Sequence, residues 1–280
     1  MVVLLALVVA LLAGATYQGV ATALERRDYP PPGQKIDVGG HQLHIRCTGE
    51  GHPVVILEAP AAGMSAAWAR VQAGISPRTR VCSYDRAGLG WSEAGDEPYD
   101  PALVPEQLHL LLAGAKIERP VVLVGHSLGA AFAALYAHQY PEDVAALLLL
   151  DAPVEDGGGM STVELDGFVR LVRYSPWLAR AGVLRAMQLL SSGAAGLPEP
   201  ASGAAAAFLN RPDHLTRAGI ELSKWRETVA LASAGTPSAR FPIVEVRTGT
   251  PQPGSFLSHQ TSAEPVTLAI LTLVARVSSR

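Results

Sequence analysis

Four short apolar runs, at residues 54–58, 81–85, 121–125 and 146–150, alternate strictly with helix-length segments at 64–74, 101–116 and 127–139. The runs are rich in Val, Ile and Leu without polar alternation, the pattern of strands buried on both faces of a parallel sheet. Parallel neighbours need long crossover connections, usually helical, and the intervening segments supply them. The last of these is stopped by Pro141, which cannot continue a helix. This order implies right-handed crossovers and a doubly wound, mostly parallel α/β sheet, with ligand chemistry at the carboxyl ends of its strands.

The flanks of this alternation differ from it. Residues 36–49 read as two short strands around the Gly39-Gly40 turn, with polar and apolar residues alternating. From about residue 154 to 240 the alternation stops. That stretch holds GGG at 157–159, helical patterns near 163–172 and 179–190, and an Ala/Gly/Pro-rich patch at 191–207, and it is expected to be an inserted helical cap. Strand character returns at 243–248, where Ile243, Glu245 and Arg247 alternate with Val244 and Val246. Charges repeated along one face predict an exposed edge strand. The closing segment VTLAILTLVARV sets Val266, Ile270, Val274 and Val277 on one face of a helix started by Pro265.

With 280 residues, 49% of them hydrophobic and 17% charged, the chain can bury a large globular core. A net charge of −3 without a basic stripe excludes nucleic acid as an expected partner. Residues 1–24 contain no Asp, Glu, Lys, Arg or His, and 2–13 is an almost unbroken run of Val, Leu and Ala. Such a run partitions into lipid as a helix. It lacks the basic start of a secretory signal, although 13–15 and 21–23 offer small-residue cleavage patterns. We therefore expect an uncleaved membrane anchor over 1–24, with export as the alternative if the segment is removed. Arg26 and Arg27 would hold that flank on the cytoplasmic side, which opposes export, so the side of the membrane stays open. A Pro-rich spacer, 25–34, then leads to an expected soluble domain over 35–280.

Two cysteines, Cys47 and Cys82, are too few for a disulfide scaffold, and no CxxC or HExxH spacing suggests a metal. His41 and His44, three apart in an expected strand, read as surface or hairpin histidines. The segment VVLVGHSLGAAFAALYAHQYP is more informative, because it sets GxSxG between a buried strand and a helix. Ser127 would occupy a sharp strand-to-helix turn. Gly125 and Gly129 are needed where side chains would collide, and Ala130, Ala131, Ala133 and Ala134 let the helix approach the sheet. The result is a hydroxyl above a helix N-terminus, where developing negative charge is favoured.

With these residues the chain resembles the α/β-hydrolase superfamily, and within it bacterial, often membrane-anchored, esterase-like hydrolases with a GHSLG elbow. The resemblance is carried by LEAPAAGMSAAW (57–68), VCSYDRAGLGWSE (81–93), VVLVGHSLG (121–129) and LLLLDAP (147–153). It implies an oxyanion hole formed by the N–H groups of Ala61 and Leu128. Pro60 stands where such proteins usually carry Gly, which restricts the conformation of that loop. Asp85 and Arg86 are expected to hold a turn near the site rather than to react. The resemblance also implies His259 as general base, since LSHQTSAEPVTLAI places it before a Pro-started helix and after the nucleophile.

The third member of the expected triad has no local candidate. Similar proteins place an acid after the strand at 243–248, followed by a helix and a further strand, yet only residues 249–258 separate Thr248 from His259. That spacing implies an internal deletion, and 250–258 contain no Asp or Glu. Asp151, directly after the LLLL strand, is the leading replacement, with Glu155 or Asp156 next; Glu245 lies inside the strand pattern. Cys47 and Cys82 fall on the second and fourth expected strands, neighbours in this fold, and either a disulfide or two thiols fits.

These features predict a serine hydrolase acting on an ester or related acyl bond of a small-molecule substrate, without a cofactor or metal. Ser127 attacks, His259 relays the proton and Asp151 orients His259. An acyltransferase or lactonase would use the same groups. An Asp-nucleophile hydrolase is disfavoured by Ser at the elbow. The rival from another class is a non-catalytic or vestigial binding protein of the same fold, favoured by Pro60 and the shortened segment before His259.

Overall fold

Val55–Glu58, Val81–Tyr84, Val121–His126 and Val144–Leu150 are strands because their side chains are buried almost without alternation. They form β3, β4, β5 and β6 of a computed structural model that describes residues 1–95, 97–153, 162–235, 240–248 and 263–279. β1 (Gln34–Asp37) and β2 (Gln42–Thr48) precede them, and β7 (Ile243–Val246) follows. The described strands make one sheet in the order β1-β2-β4-β3-β5-β6-β7. β2 is antiparallel to β1 and β4, and the remaining neighbours are parallel. The chain therefore has the α/β-hydrolase fold.

Successive strand residues feed two cores. Ile56, Leu123 and Leu147 point into one, with Leu108 and Leu111 of α3 (Val104–Gly114) and Ala133 and Tyr136 of α4 (Leu128–Gln139). Val55, Val122 and Leu148 point into the other, with Val71 and Ile75 of α2 (Ala69–Ile75). There they meet Val266, Ile270 and Val274 of the C-terminal helix, Ala263–Ser278. Each fully buried aliphatic side chain contributes roughly 1.5–3 kcal/mol, so covering both faces is what makes the central strands uniformly apolar. β7 lies at the sheet edge, with Ile243 and Glu245 exposed and Val244 and Val246 half-buried. The charged alternation is that of an edge strand, as expected.

The excursion between β6 and β7 is helical: α5 (Thr162–Arg180), α6 (Val183–Ala186), α7 (Ala201–Phe208), α8 (Pro212–Ser223) and α9 (Trp225–Ala234). The C-terminal helix is α10. The Ala-rich patch contains α7, whose Ala201, Ala204, Ala205 and Ala207 are buried; small side chains permit close approach where a periodic pattern gives little signal. At the N-terminus, α1 (Val2–Asp28) continues past residue 24.

The β1–β2 hairpin corrects the reading of its two histidines as surface residues. His44 is fully buried and His41 nearly so, because the loop after β4 lies across the hairpin. Ser92 Oγ accepts the His44 N–H at 2.8 Å, and Glu93 Oε2 accepts that of Gln42 at 3.0 Å. Periodicity within a strand does not reveal a loop arriving from elsewhere. Cys47 and Cys82 face each other across β2 and β4 and are joined in a disulfide.

Candidate active site

β5 ends at His126, and the next residue, Ser127, has φ 53° and ψ −126°. A non-glycine residue held there costs about 1–3 kcal/mol, which the surroundings must offset. The Ser127 N–H donates to the Leu150 carbonyl at 2.9 Å, and its own carbonyl accepts from Ala130 N–H at 2.8 Å. A Cβ on Gly125 would fall 2.4 Å from the Gly129 carbonyl oxygen, and one on Gly129 would fall 2.3 Å from that of Ala59. Both glycines are thus required by backbone approach, and Ser127 is left half-buried at the N-terminus of α4.

The loop after β3 brings Ala61 into the apolar cluster that contains Leu128, together with Val104, Phe132 and Val229. Pro60 does not open this loop, because its carbonyl accepts from Gly63 N–H at 3.0 Å. Arg86 fixes the remainder. Nη1 donates to the Ala59 carbonyl at 2.7 Å and Nη2 to that of Pro60 at 2.9 Å. On its other side Arg86 meets Glu221 of α8, with Nε–Oε2 at 2.7 Å and Nη2–Oε1 at 2.8 Å. Nη1 also donates to Glu58 Oε1, and the Tyr84 hydroxyl donates to Glu58 Oε2. Glu221 Oε1 takes the Ala62 N–H at 3.0 Å.

Arg86, Glu58 and Glu221 are all buried. Burial works against the charged guanidinium, but Glu221 and Glu58 outweigh it and hold Arg86 well above its ordinary range. For Glu58 burial dominates and pushes the carboxyl up, opposed by Arg86 and Tyr84. Asp85, expected to hold a turn, does so: it accepts from Ser65 N–H and from Trp91 N–H at 3.0 Å, and its Oδ2 lies 2.9 Å from His44 Nδ1. Burial raises its carboxyl, but these partners bring it below its usual value.

Asp151 stands on the strand next to the elbow. His126 and Leu150 are register partners in β5 and β6, and Ser127 and Asp151 each follow by one residue, both at positive φ, 53° and 47°. The Asp151 N–H donates to the Val246 carbonyl at 2.8 Å, and Oδ1 accepts the Thr248 N–H at 2.8 Å. Oδ2 accepts the Thr248 hydroxyl and lies 3.7 Å from His126 Nε2. Partial burial raises the carboxyl, but His126 and the two Thr248 donors more than compensate and hold it well below the usual carboxylate range.

Four of the expected site residues, Ser127, Leu128, Ala61 and Asp151, therefore gather at one end of the sheet. His259, Glu155 and Asp156 lie outside the described residues, and Glu245 is exposed on β7. The sequence reading missed Thr248 and Glu221. Thr248 follows β7, whose register against β6, Leu150 opposite Val246, puts it beside Asp151. Glu221 sits among Leu215, Ala218 and Leu222 on the buried face of α8, and a charge on an apolar helix face is its one signal. Among the described residues no group of His, Cys, Asp and Glu could hold a metal ion.

A family model described as alpha/beta hydrolase fold matches residues 53–174. An uncharacterized protein of Schizosaccharomyces pombe is 33% identical over 116 residues, which is 40% of this chain and 20% of the relative. This chain thus spans about a fifth of that protein's length, and 18% of a matching protein of Hormonema carpetanum. The Cif epoxide hydrolase of Acinetobacter nosocomialis superposes with a TM-score of 0.68 at 11% identity, over 93% of this chain and 96% of its own. An esterase of Exiguobacterium antarcticum gives 0.61 at 18% identity, over 87% and 99%.

Proposed function

We propose that this chain is a serine hydrolase that cleaves an ester or related acyl bond of a small-molecule substrate. Ser127 is the nucleophile, His259 the general base and Asp151 the carboxylate that orients it, with the N–H groups of Ala61 and Leu128 as oxyanion donors. The observation that carries this reading is the pairing of Ser127 and Asp151 at adjacent strand ends, each in a strained positive-φ turn. Strain at both positions is most simply accounted for by a demand on where the two side chains stand.

In the reaction Ser127 Oγ adds to the acyl carbon while its proton passes to His259. The oxyanion is received by the two N–H groups, an effect worth about 3–4 kcal/mol per donor in enzymes where one was removed. His259 then gives its proton to the leaving alkoxide, and water repeats the sequence on the acyl-enzyme. A carboxylate held ionised by Thr248 suits Asp151 to support the transient imidazolium. The neighbouring folds include an epoxide hydrolase and an esterase, and a Ser at the elbow favours acyl chemistry over attack by a carboxylate. No step calls for a cofactor.

We also propose that α1 attaches the protein to a membrane. Among the described residues it is a helix of 27 residues, long and apolar enough to cross one.

The test is labelling with a fluorophosphonate probe. Wild type should be labelled and Ser127→Ala should not. A folded wild type that fails to react overturns the assignment and favours a non-catalytic binding protein of this fold.

A further inference from the structure

We propose that the cap lies on the lipid surface that α1 enters, with the outer face of α5 and the α6 turn against the headgroups, and that the acyl substrate is drawn from that bilayer. The inference rests on the membrane attachment and hydrolase activity proposed above and adds to them a surface, an orientation and a substrate class.

Residues 2–13 of α1 are exposed and apolar throughout. From Gly14 onward the helix packs on the cap. A Cβ on Gly14 would lie 2.1 Å from the Ala181 carbonyl oxygen, and Tyr17 packs on Gly182. Further along, Gln18 Nε2 donates to the Asn210 carbonyl at 2.7 Å, and Arg185 pairs with Glu25, Nη2–Oε2 at 3.0 Å. The Trp91 indole N–H reaches the Tyr29 carbonyl at 3.1 Å. The apolar half of α1 therefore leaves the body at a fixed place, the junction of α5 and α6.

Large apolar side chains are exposed at that same place. Leu171, Tyr174 and Trp177 of α5 are 63%, 63% and 69% exposed, Leu178 of the same helix is exposed, and so are Met187 and Leu189 in the turn after α6. Leu171, Tyr174 and Leu178 have the i, i+3, i+7 spacing of one helix face. Arg170, Arg173 and Arg180 are exposed on the same helix, and Arg180 lies 5.2 Å from the Trp177 ring centroid. Apolar side chains with Trp, Tyr and flanking Arg are the composition of a helix lying in a membrane interface, and the arginines favour anionic lipid. A second copy covering this face would leave the apolar half of α1 projecting into water from its edge. A bilayer receives both.

The inner face of α5 gives the surface its functional meaning. Val169 and Val172 pack in one cluster with Leu89, Ala218, Leu222 and with Ala61 and Ala62 of the loop after β3. One helix thus separates the proposed lipid surface from the proposed oxyanion loop, and an acyl chain leaving the bilayer meets the cap before it meets water.

The test uses the full-length protein reconstituted into phosphatidylcholine–phosphatidylglycerol vesicles with brominated acyl chains. Flotation with the vesicles reports attachment through α1, and fluorophosphonate labelling reports the serine. The difference in tryptophan quenching between wild type and Trp177→Phe reports the cap alone. Wild type should be quenched, and Trp177→Phe should lose most of that quenching, because of the other three tryptophans Trp68 is fully buried and Trp91 and Trp225 are half-buried in packed clusters away from the outer face of α5. A Leu171→Ser/Trp177→Ser/Leu178→Ser variant should hydrolyse a vesicle-borne ester at least about tenfold more slowly, each tenfold being a modest loss of contact energy, while keeping its rate on a water-soluble ester. Protein that floats and labels but shows no Trp177-dependent quenching overturns the cap surface and leaves the other two proposals standing. Cross-linking of Trp177 faces into a dimer shielded from lipid overturns it in favour of a second copy.

Discussion

Glu221, on cap helix α8, closes a two-toothed pair with Arg86, on the loop after β4, and with the same Oε1 holds the Ala62 N–H. The cap and the proposed oxyanion loop are thereby one mechanical unit. Breaking a buried ion pair costs about 3–5 kcal/mol when the other charge is left unpaired, but without Glu221 the Arg86 guanidinium keeps Glu58 as a carboxylate partner. Glu221→Ala should therefore lower unfolding free energy in urea by part of that amount, and Glu221→Gln, which keeps one oxygen acceptor, by less. Loss of under roughly 1 kcal/mol in Glu221→Ala would mean that the pair does not hold the cap.

The approach of α4 to the loop after β3 leaves no room at Gly129. A Cβ there would fall 2.3 Å from the Ala59 carbonyl oxygen and 2.8 Å from that of Glu58. Gly129→Ala should therefore displace the loop that carries Ala61 while leaving the rest of the sheet folded. The expected result is a loss of about 10²–10³ in kcat, the range for removing one oxyanion donor, with a cooperative thermal transition retained. An unchanged kcat would separate Ala61 from the chemistry.

Asp151 is held ionised by Thr248 and His126, so its charge is available across the neutral range. If it orients His259, Asp151→Asn should lower kcat by about 10⁴, as the equivalent change does in serine proteases. Because the folded-state pKa of Asp151 lies below its ordinary value of 3.8, its stabilising contribution is present above that value. It is lost only as pH falls through the folded value. Thr248→Val removes one donor and should move acid unfolding to higher pH. Acid-denaturation midpoints of the two proteins decide this, and equal midpoints would mean that the Thr248 hydroxyl does not hold the Asp151 charge.

The central strands, the elbow and α10 were legible because each rests on local pattern: apolar runs, a GxSxG turn, a helical stripe at Val266, Ile270 and Val274. What was not legible arrives from a distance. His44 is buried by a loop from beyond β4, and Arg86 is fixed by a glutamate 135 residues later. The Ala-rich stretch that becomes α7 has a helix-forming composition but no stripe, since alanine marks neither a core nor a surface face. Asp151 was placed from strand order, whereas its partner Thr248 required the register of β6 against β7.

The Cys47–Cys82 disulfide joins β2 to β4 across a sequence separation of 35 residues. Closing a loop of that size in the unfolded chain stabilises the fold by about 3–4 kcal/mol on a chain-entropy account. A Cys47→Ser/Cys82→Ser variant should show a correspondingly lower denaturation midpoint. Intact mass should rise by about two hydrogen atoms on reduction of protein recovered from its native compartment. No mass change there would place the domain on the reducing side of its membrane.

His214 gives the fold a dependence on mild acid. It is buried on α8, and its Nδ1 accepts the Gly90 N–H at 3.1 Å, which requires the neutral ring with its proton on Nε2. Burial lowers its pKa from the ordinary 6.5, against the opposing pull of Asp213 and Asp85. Above that value the ring is neutral in both folded and unfolded chains and has no effect on the balance. As pH falls through 6.5 the unfolded chain takes up a proton that the folded chain refuses, so unfolding gains until the folded pKa is reached. The slope from one such group is at most about 1.4 kcal/mol per pH unit. Melting temperature should therefore fall between pH 7 and pH 5 in wild type and fall less in His214→Asn, whose Oδ1 can accept the Gly90 N–H without titrating. Equal slopes in the two proteins would show that His214 does not carry the dependence on mild acid.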